Sequence, residues 1–191
     1  MPSKTIEIPR GCDRLLLHSC CAPCSGAILE WLLSHDIRPT IFFSNSNIFP
    51  QEEYVLRKGE IERYARQSGL EVIDDDYDHD CWLDHTRHLA DAPERGERCS
   101  LCFRFRLERA AEYAHRHGFK VLTTTLASSR WKDLEQVNVA GTAACSHYDG
   151  LLWWGQNWRI CGLQERRNEI IRSEGFYNQT YCGCEFSRKN L

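Results

Sequence analysis

The sequence predicts an α/β fold, a parallel sheet flanked by helices, in a single domain over residues 1–191. Short apolar runs bounded by turn residues recur along the chain and read as buried strands: Leu15–Leu17, Pro39–Phe43, Leu70–Ile73, Phe119–Thr124 and Gly150–Trp153. Stretches with helical spacing lie between them, and this alternation is what parallel crossover units require. With 191 residues, 42% of them hydrophobic, the chain is long enough to bury one full core. It shows no repeat, low-complexity tract or linker at which to divide it.

The elements follow in order. After the Leu15–Leu17 strand, Ser25–Ser34 reads as a helix, with Ile28, Trp31 and Leu32 at core spacing and Pro23 near its start. Ser44–Phe49 is a loop, and Gln51–Ser68 is a second helix ended by Gly69. The acidic run Asp74–Asp80 follows the third strand and leads into a short helix over Trp82–Leu89. Ala92–Arg98 is a polar loop containing Pro93 and Gly96. A long helix is predicted over Ser100–His117, with Gly118 as its C-cap. Leu134–Cys145 and the charged stretch Gln164–Ser173 supply two more helices, before a tail from Phe176 to Leu191.

Bulk charge excludes little. A net charge of −3 gives no general attraction for nucleic acid, so any such contact needs a local basic patch. No apolar stretch reaches membrane-spanning length, and Met1–Arg10 lacks the apolar core of a signal peptide. The expectation is a cytoplasmic protein with no membrane partner. Eleven cysteines are then the anomaly, because a reducing compartment disfavours structural disulfides and favours metal or redox use.

The cysteines are grouped. Cys20, Cys21 and Cys24 fall in a strand-to-helix turn, where strand ends and helix N–H groups converge on ligands and lower thiol pKa values. Adjacent thiols diverge on a strand but can converge from a loop. Cys99-Ser100-Leu101-Cys102 adds a pair at the start of the long helix. Four or five thiolates from two such junctions suit a structural zinc or an iron–sulfur cluster, and spacing does not separate the two. Cys182 and Cys184, one glycine apart, would form only a strained disulfide, which is the labile, redox-active kind. Tyr181 and Phe186 beside them are candidate anchors. Cys12, Cys81, Cys145 and Cys161 stand alone and read as small core residues.

Other candidates are less sharp. Most of Asp74–Asp80 is a solvated loop, with Asp78 singled out as a metal ligand or proton donor. His18 ends the first strand beside the thiols, as a proton source or as a packed strand-end residue. Arg104, Arg106, Arg109 and Arg116, then Arg166, Arg167 and Arg172, then Arg188 and Lys189 are locally basic. With Trp153, Trp154 and Trp158 they could form an aromatic, cationic RNA surface; solvated helix faces explain them equally well.

One ordered series is more specific. His18-Ser-Cys-Cys-Ala-Pro-Cys-Ser25, Asn47-Ile48, Glu53-Tyr54 with Arg57, and Arg98-Cys-x-x-Cys-Phe-x-x-Arg-Leu-Glu108 come first. Gly118-Phe119, Thr123-Thr-Thr-Leu126 and Tyr181-Cys-Gly-Cys184 complete it. This series resembles the QueH-type epoxyqueuosine reductases from His18 to Ser187. The resemblance implies a nucleotide-hydrolase-like (HUP-like) α/β fold. It also implies reduction of epoxyqueuosine to queuosine at the wobble position of tRNA, without cobalamin. Carried onto matching positions, Cys20, Cys21, Cys99 and Cys102 would hold a 4Fe–4S cluster, and Cys182 with Cys184 would be the redox-active pair. An additional iron with a carboxylate ligand, placed at Asp78, is implied beside the cluster. The implied partners are a tRNA anticodon loop and an electron donor. Ser46 stands where the family usually has proline, and Ser128–Asp133 departs from the usual loop. Two rival readings are a cluster-dependent tRNA thiolase and a non-catalytic, zinc-stabilised RNA-binding module.

Overall fold

The computed structural model describes residues 5–188, and Lys189 therefore lies outside the described residues. Five strands form one all-parallel sheet in the order β3-β2-β1-β4-β5. They are β1 (Leu15–His18), β2 (Thr40–Phe43), β3 (Val72–Asp74), β4 (Val121–Thr124) and β5 (Leu152–Trp153). Parallel neighbours need crossovers, supplied here by α1 (Ala22–Ser34), α2 (Gln51–Gln67), α3 (His79–Thr86), α4 (Glu97–Arg116) and α5 (Leu134–Ser146). Helix α6 (Leu163–Glu174) and a one-turn α7 (Glu185–Arg188) follow the last strand.

Both faces of the sheet are covered, which is why β1 reads as an unbroken apolar run. Leu15 and Leu17 pack with Ile28, Leu29 and Leu32 of α1 and Ile170 of α6. Leu16 points the other way, into Leu107, Ala110, Ala111 and Ala114 of α4 and Val137, Ala140 and Ala144 of α5. Each fully buried leucine contributes about 1.5–3 kcal/mol relative to leaving it in water. Trp154 and Trp158 belong to this core, with ring centroids 5.1 Å apart and Trp31 edge-on to Trp158 at 5.8 Å. They are not part of an RNA-facing surface.

Three element boundaries differ from the sequence expectation in ways that shape the site. Helix α1 begins at Ala22 rather than Ser25, because Pro23 suits a first turn that needs no N–H donor. Helix α4 begins at Glu97 rather than Ser100, so Cys99 as well as Cys102 lies inside its first turns. Strand β3 is shifted to Val72–Asp74, and α7, which the sequence did not suggest, closes the tail.

The strand order reverses between β1 and β4, so their C-terminal ends open the crevice where ligands bind in such sheets. His18 forms the floor of that crevice. Its Nε2–H donates to the Ser44 carbonyl at the end of β2 (3.0 Å), and Nδ1 accepts from the Thr124 hydroxyl at the end of β4 (2.7 Å). Thr124 Oγ1 in turn accepts from the Leu126 N–H (3.1 Å). Full burial, reinforced by the Arg106 charge, lowers the His18 pKa to about 3, so the ring is a neutral clasp across three strand ends.

An unfolded histidine titrates near pH ~6.5, so the unfolded chain binds the extra proton first. The stability contributed by neutral His18 is complete above that pH and is lost as pH falls toward 3. Below pH ~6, unfolding free energy of the wild type should fall faster than that of His18→Gln, by up to about 1.4 kcal/mol per pH unit. Parallel profiles in urea titrations at each pH would remove His18 from this role.

Candidate metal and redox centre

At the crevice, the turn after β1 brings three sulfurs together. The Sγ atoms of Cys20, Cys21 and Cys24 all lie within 4.8 Å of one another and are buried, with Cys20 and Cys21 3.8 Å apart. Cys21 is the extended N-cap of α1 and Cys24 lies in its first turn, so the helix N-terminal field acts on all three. Hydrogen bonds from the Cys21 and Cys24 thiols, aided by the Lys132 charge, hold Cys20 well below the usual thiol range. The same bonds, seen from the donors, push Cys21 well up and Cys24 up to about 11. Within the trio the anionic form is therefore favoured at Cys20. Thr125 Oγ1 accepts from the Cys20 N–H (3.0 Å) and donates to its sulfur (3.3 Å), while Gln179 Nε2 donates to Cys21 Sγ (2.9 Å).

These sulfurs line a cavity of about 760 Å³, and Cys99, Cys102, Cys182 and Cys184 line it too. Burial pushes Cys99 up to about 11 against a 3.3 Å hydrogen bond from the Arg95 N–H, and burial also raises Cys102. Both are neutral thiols here, so metal binding at them would release protons. Seven thiols facing one buried space are far more than packing explains.

The Cys182-Gly183-Cys184 turn is clamped in place. Gly183 takes φ +112°, a conformation glycine adopts without the Cβ penalty, and a Cβ there would press on Arg57 Nη1 at 3.0 Å. Arg57, buried and paired with Glu53, donates to the Cys182 carbonyl (3.1 Å) and stacks over Tyr181. Phe49 N–H donates to the Gly183 carbonyl (2.9 Å). On the other side His79 lies 3.2 Å from Glu185, and Phe186 packs between Trp82 and the Arg98 guanidinium. Both cysteines are free thiols. The Cys184 thiol donates to Cys182, and with the charges of Lys132, Arg106 and Arg57 this holds Cys182 well below the ordinary range. The Cys184 pKa is raised by that same bond and by burial.

Positive charge is concentrated around these sulfurs despite the acidic chain. The lining includes buried Arg57, Arg98 and Arg106, half-buried Lys132, Arg159 and Arg167, and exposed Arg95 and Arg130, against Glu94 and Glu165. Burial works against the Lys132 ammonium, but the sulfurs of Cys182, Cys20 and Cys24 outweigh it and raise its pKa. Buried polar atoms without a protein partner also gather here: both ends of the Asn47 amide, Trp82 Nε1, Arg98 Nε and Gln179 Oε1. Such groups are costly unless something binds them. The sulfur-rich donor set and the unmet polar groups together fit a metal centre with a polar ligand above it.

Other sequence candidates fall elsewhere. Asp78 is exposed, caps α3 through Cys81 N–H (3.1 Å), and is not among the cavity-lining residues. Its neighbours are equally committed, Asp74 to Lys58 (2.6 Å) and Tyr54, Asp75 to Arg109 and Ser44 (2.6 Å each). Arg116 pairs with Glu112, and Arg166 with Glu30 and Glu169, while Arg106 turns inward onto Ser44 O and Asn45. Of the solitary cysteines, Cys12 and Cys145 are buried, Cys81 is half-buried and Cys161 is exposed. Sequence reasoning missed Lys132 and Gln179, which carry no motif. It missed the role of Asn47 although Asn47-Ile48 belongs to the ordered series.

Comparison with known proteins agrees with this geometry. The family model for epoxyqueuosine reductase QueH matches residues 15–190. The epoxyqueuosine reductase QueH of Haemophilus influenzae is 49% identical over 185 residues, 97% of this chain and 76% of that protein. The Acinetobacter baylyi protein of the same name is 47% identical over 189 residues, 99% of this chain and 87% of its own. The Thermotoga maritima one is 31% identical over 176 residues, 91% and 89% of the two chains.

Thiolate, not thiol, reacts with iodoacetamide, so the rate follows the thiolate fraction. In the reduced, metal-free chain, the alkylation profile of Cys182 should be centred at lower pH than that of an ordinary thiol. Replacing Lys132 with Gln should move that profile to higher pH by about one pH unit. A Cys182 profile centred above pH 8 in the wild type would contradict the charge arrangement.

Proposed function

The chain belongs to the epoxyqueuosine reductase QueH family, an oxidoreductase family of queuosine biosynthesis, and from that premise we propose that it reduces epoxyqueuosine to queuosine in tRNA. The observation that carries this reading is the gathering of seven thiols and their counter-cations around one cavity at the sheet's switch point. Among the described residues no helix is long and apolar enough to cross a membrane. A tRNA substrate puts the protein in the cytoplasm.

Removing an epoxide oxygen consumes two electrons and two protons and releases water. A 4Fe–4S cluster held by Cys20, Cys21, Cys99 and Cys102 would supply electrons singly, with an additional iron supplying Lewis acidity toward the oxygen. Cys24, whose sulfur completes the trio at the end of β1, is the ligand the cavity offers that iron; Asp78 would first have to leave its capping bond. Oxidation of the Cys182 thiolate and the Cys184 thiol to a disulfide releases the two electrons that the reduction consumes and one of its two protons; the second proton comes from solvent. A disulfide across one glycine is readily reduced again, so an electron donor resets the pair. Lys132 and Arg106 balance the sulfur charge and present donors to the oxygen as the C–O bond breaks. His18, neutral with both ring nitrogens engaged, positions the strand ends beneath the thiols. The wobble base of an anticodon loop is unpaired and can enter such a cavity without opening a duplex.

The test is conversion of an epoxyqueuosine-bearing tRNA by anaerobically reconstituted protein, read by mass spectrometry as the loss of one oxygen from the nucleoside. Cys99→Ser should lose iron and slow turnover by at least about 100-fold. Cys184→Ser should keep its iron yet stop after the equivalents already stored. A Cys99→Ser variant with normal iron and full activity would remove Cys99 from the ligand set.

A further inference from the structure

At the mouth of the thiol cavity stands a surface loop from which the chemistry above uses only Lys132. It runs from Ser129 to Lys132, between the 3₁₀ turn Thr125–Ser128 and helix α5. Its tip carries Trp131, 72% exposed and the most exposed large hydrophobic residue among those described. The Arg130 guanidinium lies 5.8 Å from the Trp131 ring, and both residues line the cavity.

The loop is fixed in shape. Arg95 donates to the carbonyls of Arg130 and Trp131 (3.0 Å each), and Arg159 donates to those of Ser129 (2.5 Å) and Lys132 (2.8 Å). Four successive carbonyls are therefore held by two guanidinium groups, and the Lys132 N–H closes the turn onto Ser129 O (3.1 Å). Arg95 itself takes a left-handed φ of +63°, and its N–H is the donor to Cys99 Sγ (3.3 Å). One residue thus sets both the position of the loop and the environment of a site thiol. A rigid loop that points an indole into water, ringed by cations, loses little conformational entropy when it binds a partner. The residues beside Trp131 in the chain, Arg130 and Lys132, and the two that hold its loop, Arg95 and Arg159, are all cationic. A flat aromatic face with adjacent positive charge matches an unpaired nucleobase and its phosphate.

We propose that Trp131 and Arg130 form a stacking platform for a single-stranded nucleobase next to the base that enters the thiol cavity, with Arg130 on its phosphate. This inference rests on the reading of tRNA as substrate and assigns part of its binding surface. The reconstituted protein would be titrated with a synthetic anticodon stem-loop RNA, with and without the modified base, following tryptophan emission and equilibrium binding. Binding should quench the emission of Trp131. Trp131→Ala should weaken affinity about 10-fold for both RNAs, Trp131→Phe should recover most of that loss, and iron content should not change. Arg130→Gln should reduce the slope of log affinity against log salt by about one. If Trp131→Ala disturbs the iron, the quenching lost in Trp131→Phe decides the matter. Unchanged affinity in Trp131→Ala, while the wild type still converts epoxyqueuosine, overturns the platform and leaves the reductase reading standing. A wild type that binds neither RNA and converts no substrate overturns both.

Discussion

Burying a thiolate in a low-dielectric cavity is costly, and the way this protein meets that cost organises the rest of its site. Cys20 and Cys182 are each held toward the anionic form by a neighbouring thiol and by fixed cations. Lys132 faces both groups, which makes it the charge shared by the two cysteine motifs. Arg57 and Arg106 reach the cavity from α2 and α4, so the sulfur charge is balanced from both faces of the sheet. Without those cations the sulfurs would shift toward the neutral thiol, the poorer nucleophile and ligand.

The fold's contribution is to bring those groups to one point. The strand order reverses between β1 and β4, and His18 ties their ends to β2 as a neutral ring. Because the clasp carries no charge, it can be fully buried beneath an anionic cluster of sulfurs. The turn above it is short, and Pro23 starts α1 early enough to put Cys21 at the N-cap and Cys24 in the first turn. The tail, more than a hundred residues away in sequence from β1, is then clamped over the site by Arg57, Phe49 and His79.

Much of this was legible in the sequence, and the failures have physical reasons. The doubly buried strands announce themselves as continuous apolar runs such as Leu15–Leu17, and α4 as a long amphipathic stretch. The cysteine groups, the Cys-Gly-Cys turn and its anchors Tyr181 and Phe186 were equally visible. Lys132 and Gln179 were not, because nothing local marks a lone residue that tertiary folding brings to a distant thiol. Arginines on α4 and α6 resembled one basic face, but side-chain partners decide their fate: Arg106 is buried and Arg116 and Arg166 are paired. Tryptophan spacing misled in the opposite direction. Trp154 and Trp158 are core, whereas Trp131, alone between Arg130 and Lys132, is the exposed one. Asp78 followed a strand as site carboxylates do, yet it also stands one residue before a helix, and capping claimed it.

On the proposed reading these thiols hold iron in a redox centre rather than a structural zinc. The most direct measurement is the iron, sulfide and zinc content of the chain purified without oxygen, together with its visible spectrum. The expected result is about four irons and about four sulfides per chain, more iron if the additional site is filled, and a brown protein. Stoichiometric zinc with no sulfide, unchanged after anaerobic reconstitution with iron and sulfide, would contradict it.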